Sequence, residues 1–164
     1  MRQNLAAKQE EKEMTPYETA IAALSDALEM KLEIASDRLC DVEVDGRLVI
    51  LRPMGEAEES LMTFALVADA PTDGKLPAEV KDRALSMNLF GTETLGGHLG
   101  LFGESIVLSA PTIEATGLTA ESLAENLLAF SRFAGEIAQK LVEGGTPAEE
   151  TEAASEPKDD FIKV

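Results

Sequence analysis

The chain of 164 residues has a mass of 17.5 kDa, which is room for one ordinary domain and argues against a two-domain enzyme. Hydrophobic residues make up 45% of it, with no Trp, one Tyr and six Phe, so it can bury a core and that core must be mainly aliphatic. A formal net charge of -17 and a pI near 4.3 disfavour sequence-independent binding to nucleic acid or an anionic membrane, which depends on basic residues displacing counterions. One cysteine, Cys40, forbids an intramolecular disulfide, and with His98 as the only histidine there is no donor set for structural zinc. That usage fits a reducing compartment. No signal peptide or membrane span is legible, because the charges from Lys8 to Glu13 stand where an apolar stretch would be needed. A soluble, cytoplasmic protein that needs no cofactor or metal is expected.

Composition divides the chain into three parts. Residues 1–14 balance three basic against three acidic side chains and read as a flexible charged lead, and residues 15–143 as the folded α+β domain. Residues 144–164 carry six acidic against two basic side chains with Gly144, Gly145, Pro147 and Pro157. They read as an acidic disordered tail, too poor in apolar groups to offset ordering entropy. Most of the negative charge therefore belongs to the folded part.

The first element opens at Thr15-Pro16-Tyr17-Glu18: Thr can cap the free amides, Pro suits the first helical position and Glu18 completes a capping box. Tyr17, Ile21, Leu24, Leu28 and Leu32 recur at three- and four-residue spacing, predicting one helical face. From Leu39 the period changes. Cys40, Val42 and Val44 alternate with Asp41, Glu43 and Asp45, and Asp45-Gly46 offers a tight turn into Leu48-Val49-Ile50-Leu51. Leu61 to Ala68, bounded by Pro71 and Gly74, reads as a third antiparallel strand. Pro77, Glu79, Val80, Ala84 and Met87 predict a shorter helix ending near Asn88 to Gly91, with Leu85 and Leu89 on a neighbouring face.

After Gly96-Gly97, Leu99 to Phe102 and Ile106 to Leu108 form a second hairpin about Gly103-Glu104, followed by a loop through Pro111 and Gly117. Thr119 caps a last helix whose apolar positions are Leu123, Leu127, Phe130, Ala134, Ile137 and Leu141, stopped by Gly144-Gly145. The predicted order is helix, three strands, helix, two strands, helix: an α+β fold in which helices cover an antiparallel sheet.

Catalytic chemistry finds little purchase. With one histidine there is no spacing for a nucleophile and its base, and His98 reads as a loop or strand-start residue. Cys40, at the head of a strand, reads as a buried structural thiol. Gly96, Gly97, Gly100 and Gly103 match neither the dinucleotide fingerprint nor the P-loop, so turn chemistry accounts for them. The carboxylates follow no calcium-loop spacing and read as a solvated face, although an enzyme using carboxylates alone is a rival class, because such pairs can lie far apart in sequence. A deep pocket holding two close carboxylates would favour it.

Leu48-Val49-Ile50-Leu51 and Met62 to Leu66 are apolar on both faces of their strands, whereas a sheet covered on one side alternates with polar residues. Either helices pack on both sides, or the second face is a subunit interface or a groove for an apolar peptide.

The opening amphipathic helix, the Val42-Glu43-Val44-Asp45-Gly46 hairpin running into Leu48–Leu51, the string Leu85-Ser86-Met87-Asn88-Leu89, the Gly-Gly-His-Leu-Gly-Leu stretch and the long closing helix with Phe130 and Phe133 resemble the class I type III secretion chaperones of the Tir/CesT chaperone family. The resemblance covers roughly residues 16–143. It departs in the closing helix, which often carries a Trp in that family, and in the two terminal extensions. The resemblance implies a homodimer, without a catalytic step, that holds the non-globular N-terminal region of a secreted effector soluble and secretion-competent and surrenders it to the secretion ATPase. It implies effector contacts at Leu28, Leu32, Ile34, Val49, Leu51, Met62 and Phe64, and a dimer interface at Leu85, Met87, Leu89, Leu99 and Leu101. A stand-alone binding or regulatory domain of the same fold, unconnected with secretion, is the alternative.

Overall fold

The capping box forms as the sequence predicts: Thr15 accepts from the Glu18 amide, Glu18 accepts from the Thr15 amide, and Pro16 opens helix α1 (Pro16–Ala27). The computed structural model describes residues 13–71, 74–89 and 91–143. The elements that follow are β1 (Cys40–Val44), β2 (Arg47–Met54), β3 (Ser60–Ala68), α2 (Ala78–Asn88), β4 (His98–Phe102), β5 (Ser105–Ser109), β6 (Ile113–Glu114) and α3 (Ala120–Glu143). The acidic tail and the Gly144-Gly145 helix stop lie outside the described residues, as does all of the charged lead before Glu13.

The strands form one antiparallel sheet in the order β1-β2-β3-β5-β4, with β6 pairing the start of β3. The β1–β2 hairpin turns where predicted, Asp45 and Gly46 both taking the left-handed conformation of a two-residue turn. Register then sorts the side chains. Val42 faces Val49 and Cys40 faces Leu51; Val49 in turn faces Ala65, Ala65 faces Leu108, and Leu108 faces Leu99. Because side chains alternate across a strand, these residues share one face, and all of them are buried. The apolar stripe of α3, from Leu123 to Leu141, is buried against that face and against α1.

Polar ties fix the helices onto this layer. The Tyr17 hydroxyl donates to the Leu51 carbonyl in the core, and burial pushes its pKa upward. Arg38 lies over the Tyr17 ring and bonds both Glu18 and Glu58, so the carboxyl of Glu58 is held below its ordinary range chiefly by the Arg38 side-chain bond. Ser131 of α3 donates to the Val44 carbonyl at 2.7 Å, and Arg83 of α2 donates to the Leu141 carbonyl at 2.5 Å.

Two expectations are corrected. The α1 face does not continue through Leu28 and Leu32: the helix ends at Ala27, Glu29 turns left-handed (φ 51), and the Ser25 hydroxyl captures the Met30 carbonyl and the Leu32 amide, drawing the chain out of helical register. The connection through Pro111 is not wholly loop, because Ile113–Glu114 adds a two-residue strand beside Ser60 and Leu61. The glycine pair before β4 does have a steric cause. Gly96 takes φ +80, and a Cβ on Gly97 would stand 2.3 Å from the Ser109 carbonyl oxygen.

Cys40 is fully buried, and desolvation pushes its thiol up to about 11. A thiol-specific reagent should therefore leave the native protein unlabelled and modify it only after denaturation. Prompt stoichiometric labelling of the native chain would contradict this burial.

Candidate functional site

The face of the sheet opposite the helices carries an apolar field. Across the strands, Asp41 faces Ile50, Ile50 faces Phe64, Phe64 faces Ser109 and Ser109 faces His98; the next row runs Glu43–Leu48 and Leu66–Val107–Gly100. Ile50, Met62, Phe64 and Val107 are half-buried by their neighbours, whereas Leu48, Leu66 and Phe102 are 50%, 43% and 78% exposed. Every fully buried strand residue lies on the other face, so the described helices form a single layer and leave this one open. The carboxylates of Asp41 and Glu43 border it at β1.

This resolves the apolar runs noted in the sequence. Of the residues expected at an effector contact, Met62 and Phe64 lie on the open face. Val49 and Leu51 do not: both are fully buried under α1 and α3, and their even-numbered neighbours Leu48 and Ile50 take the exposed positions instead. Leu28 is exposed at the end of α1. Leu32 and Ile34, partly buried, line a groove of about 530 Å³ with Met14, Ile21 and Ala22. Ile34 also bridges to Cys40 at the outer side of β1.

A second apolar surface forms where α2 meets β4. Leu85, Leu89 and Leu101, expected at a dimer interface, are 69%, 63% and 61% exposed, and Phe102 follows Leu101 in the strand. Met87 and Leu99, expected with them, are instead buried in the core. The cause is helical and strand phase: Met87 lies on the face of α2 turned to the sheet, and Leu99 faces Leu108. A small cavity of about 190 Å³ between Ala84, Leu85, Leu99, Leu101 and Ile106 opens there.

The sequence reading missed a third feature, an apolar cavity of about 270 Å³ between α3 and the end of β5, lined by Leu108, Pro111, Ile113, Leu123, Phe130 and Phe133. Phe130 and Phe133 were visible as part of a helical stripe; the short strand at Ile113 that closes the cavity was not. His98 is exposed at the start of β4. Among the described residues no group of three His, Cys, Asp or Glu side chains could hold a metal ion, and no helix is long and apolar enough to cross a membrane.

Three helices thus form a layer on one face of an antiparallel sheet, and among the described residues the other face is apolar and open. Residues 19–136 match the model of the Tir chaperone protein (CesT) family, and the chain belongs to that family. No curated protein matches the chain in a sequence search. Among solved structures, the fold is similar to that of the Yersinia pestis type III secretion chaperone SycH in complex with a stable fragment of YscM2 (TM-score 0.52, 18% identity, covering 74% of this chain and 98% of that one). It is similar to a chain of the HopA1–SchA chaperone–effector complex (TM-score 0.53, 21% identity, 74% and 94% covered) and to one of the ExsC–ExsE complex (TM-score 0.58, 20% identity, 75% and 91% covered).

Proposed function

We propose that this protein is a cytoplasmic, non-enzymatic type III secretion chaperone that binds the non-globular N-terminal region of a secreted effector. The observation that carries the reading is the open apolar face of the sheet, which a stable monomer would otherwise have covered. An extended client lays its apolar side chains on Ile50, Met62, Phe64 and Leu66 and in the groove beside Leu28, Leu32 and Ile34. Affinity then accumulates over a long surface without the client folding into a globule. The excess of carboxylates keeps such an apolar-faced protein soluble and draws in a basic client, an attraction that salt weakens. Release falls to the secretion ATPase.

The active unit is a homodimer joined through Leu85, Leu89 and Leu101, whose exposure is a cost that a second copy removes. Light scattering should give a species of about 35 kDa, twice the 17.5 kDa chain. Leu85→Glu should shift it to the monomer with an unchanged far-ultraviolet circular dichroism spectrum, since an exposed residue is being changed. A soluble Leu85→Glu dimer would remove this surface from the interface.

A further inference from the structure

One side chain at the end of α2 does the work of a neighbouring strand. The Asn88 carboxamide donates from Nδ2 to the Leu99 carbonyl and accepts at Oδ1 from the Leu99 amide, each at 2.8 Å. A carboxamide carries a donor and an acceptor, so this pair supplies what a residue of an added β-strand would supply. Leu99 belongs to β4, which ends the sheet order, and its other side is already paired with β5. The two bonds therefore fall on the free edge. Outward-facing backbone groups alternate along a strand, so the next pair belongs to Leu101, and Asn88 occupies half of the edge that this five-residue strand can offer.

The opposite edge is only bridged at its start. Ile34 bridges Cys40, and the Ala35 amide donates to the Leu39 carbonyl at 2.8 Å, so by the same alternation the outward groups beyond the bridge belong to Asp41 and Glu43. That edge is bordered by carboxylates. The β4 edge is bordered by Leu101 and Phe102, with Leu85 and Leu89 exposed on the adjoining helix. An unprotected apolar edge of that kind pairs with whatever strand it meets, including its own copies.

We propose that Asn88 is an edge lock: it closes β4 to strand addition, so that copies of this chain meet through side chains without extending the sheet, and backbone pairing is reserved for β1. That the strand added at β1 is a client rests on the function proposed above. The closure of β4 does not.

The test uses the full chain without any client and compares wild type with Asn88→Ala and Asn88→Asp by amide hydrogen exchange and by light scattering over a range of concentrations. Asn88→Ala should speed exchange of the Leu99 amide about threefold to tenfold, the loss of one net hydrogen bond. It should also add species larger than the wild-type assembly that grow with concentration. Asn88→Asp loses the donor to the Leu99 carbonyl and sets a carboxylate against it, so it should speed exchange as Asn88→Ala does, while its charge at the edge holds the size distribution at wild type. A wild-type size distribution for Asn88→Ala at every concentration would overturn the proposal. Should Asn88→Ala not fold, exchange of the wild-type Leu99 amide as fast as that of the outward-facing Leu101 amide would overturn it equally. A chain that behaves as predicted yet captures no effector contradicts only the proposed function.

Discussion

Leu51→Asp is expected to abolish folding. Leu51 is fully buried between Cys40 and Thr63 in the sheet, and its carbonyl accepts the buried Tyr17 hydroxyl. No cationic side chain is bonded at that position to compensate a carboxylate. Burying an unpaired charge costs several kcal/mol or more, and small domains have only about 5–15 kcal/mol of stability in total. The variant should be insoluble or lack a cooperative unfolding transition. A soluble Leu51→Asp chain melting near wild type would contradict the packing of α1 and α3 over this face.

Phe64→Asp, one strand away, should have the opposite outcome. Phe64 is only half-buried, on the open face beside Ile50 and Ser109, so an aspartate there can reach water. The fold should survive with a loss of about 1–2 kcal/mol from the missing cross-strand packing. Effector capture should fall about thirtyfold or more, because a central aromatic anchor commonly contributes about 2 kcal/mol or more to an interface. Unaltered affinity in a folded Phe64→Asp protein would take the client off this face, and global loss of circular dichroism would assign Phe64 to the core.

How far these outcomes were legible in the sequence differs from element to element. The start of α1 and the whole stripe of α3 were, because capping chemistry and a 3.6-residue period are local signals that the tertiary structure reinforces: Leu123, Leu127, Phe130, Ala134, Ile137 and Leu141 are all buried. The end of α1 was not, since Leu28 and Leu32 keep the helical period in sequence while the Ser25 hydroxyl, a five- to seven-residue contact, breaks it in space. Strand β6 was too short to leave a period, and the pairing of β3 with β5 skips α2 and β4, so neither has a local signature.

The burial of Val49 and Leu51 is more instructive. A run of four apolar residues gives no phase by itself, so both faces of β2 looked equally suited to contact. The phase was nevertheless present in β1. Its acids Asp41 and Glu43 must face water, and the two-residue Asp45-Gly46 turn fixes the register that sets Leu48 opposite Glu43 and Ile50 opposite Asp41. Leu48 and Ile50 therefore share the solvent face, and Val49 and Leu51 the core. On α2, Met87 separates from Leu85 and Leu89 by the same kind of phase argument, since residues two apart do not share a helical face.

The acidic surface and the apolar face complement one another. Asp41 and Glu43 sit in the same cross-strand rows as Ile50 and Leu48, so an extended segment with alternating basic and apolar side chains could satisfy both at once. Such a segment would also be kept from collapsing on itself, which is the physical content of secretion competence.

The most direct test of the central claim is methyl nuclear magnetic resonance on the full chain, titrated with the N-terminal region of the product of the neighbouring gene. The account predicts a stable complex in which the methyl signals of Leu48, Ile50, Leu66 and Val107 move strongly, while those of Val49 and Leu51 behind them move little. No complex, or a footprint that leaves those four signals in place, would contradict it.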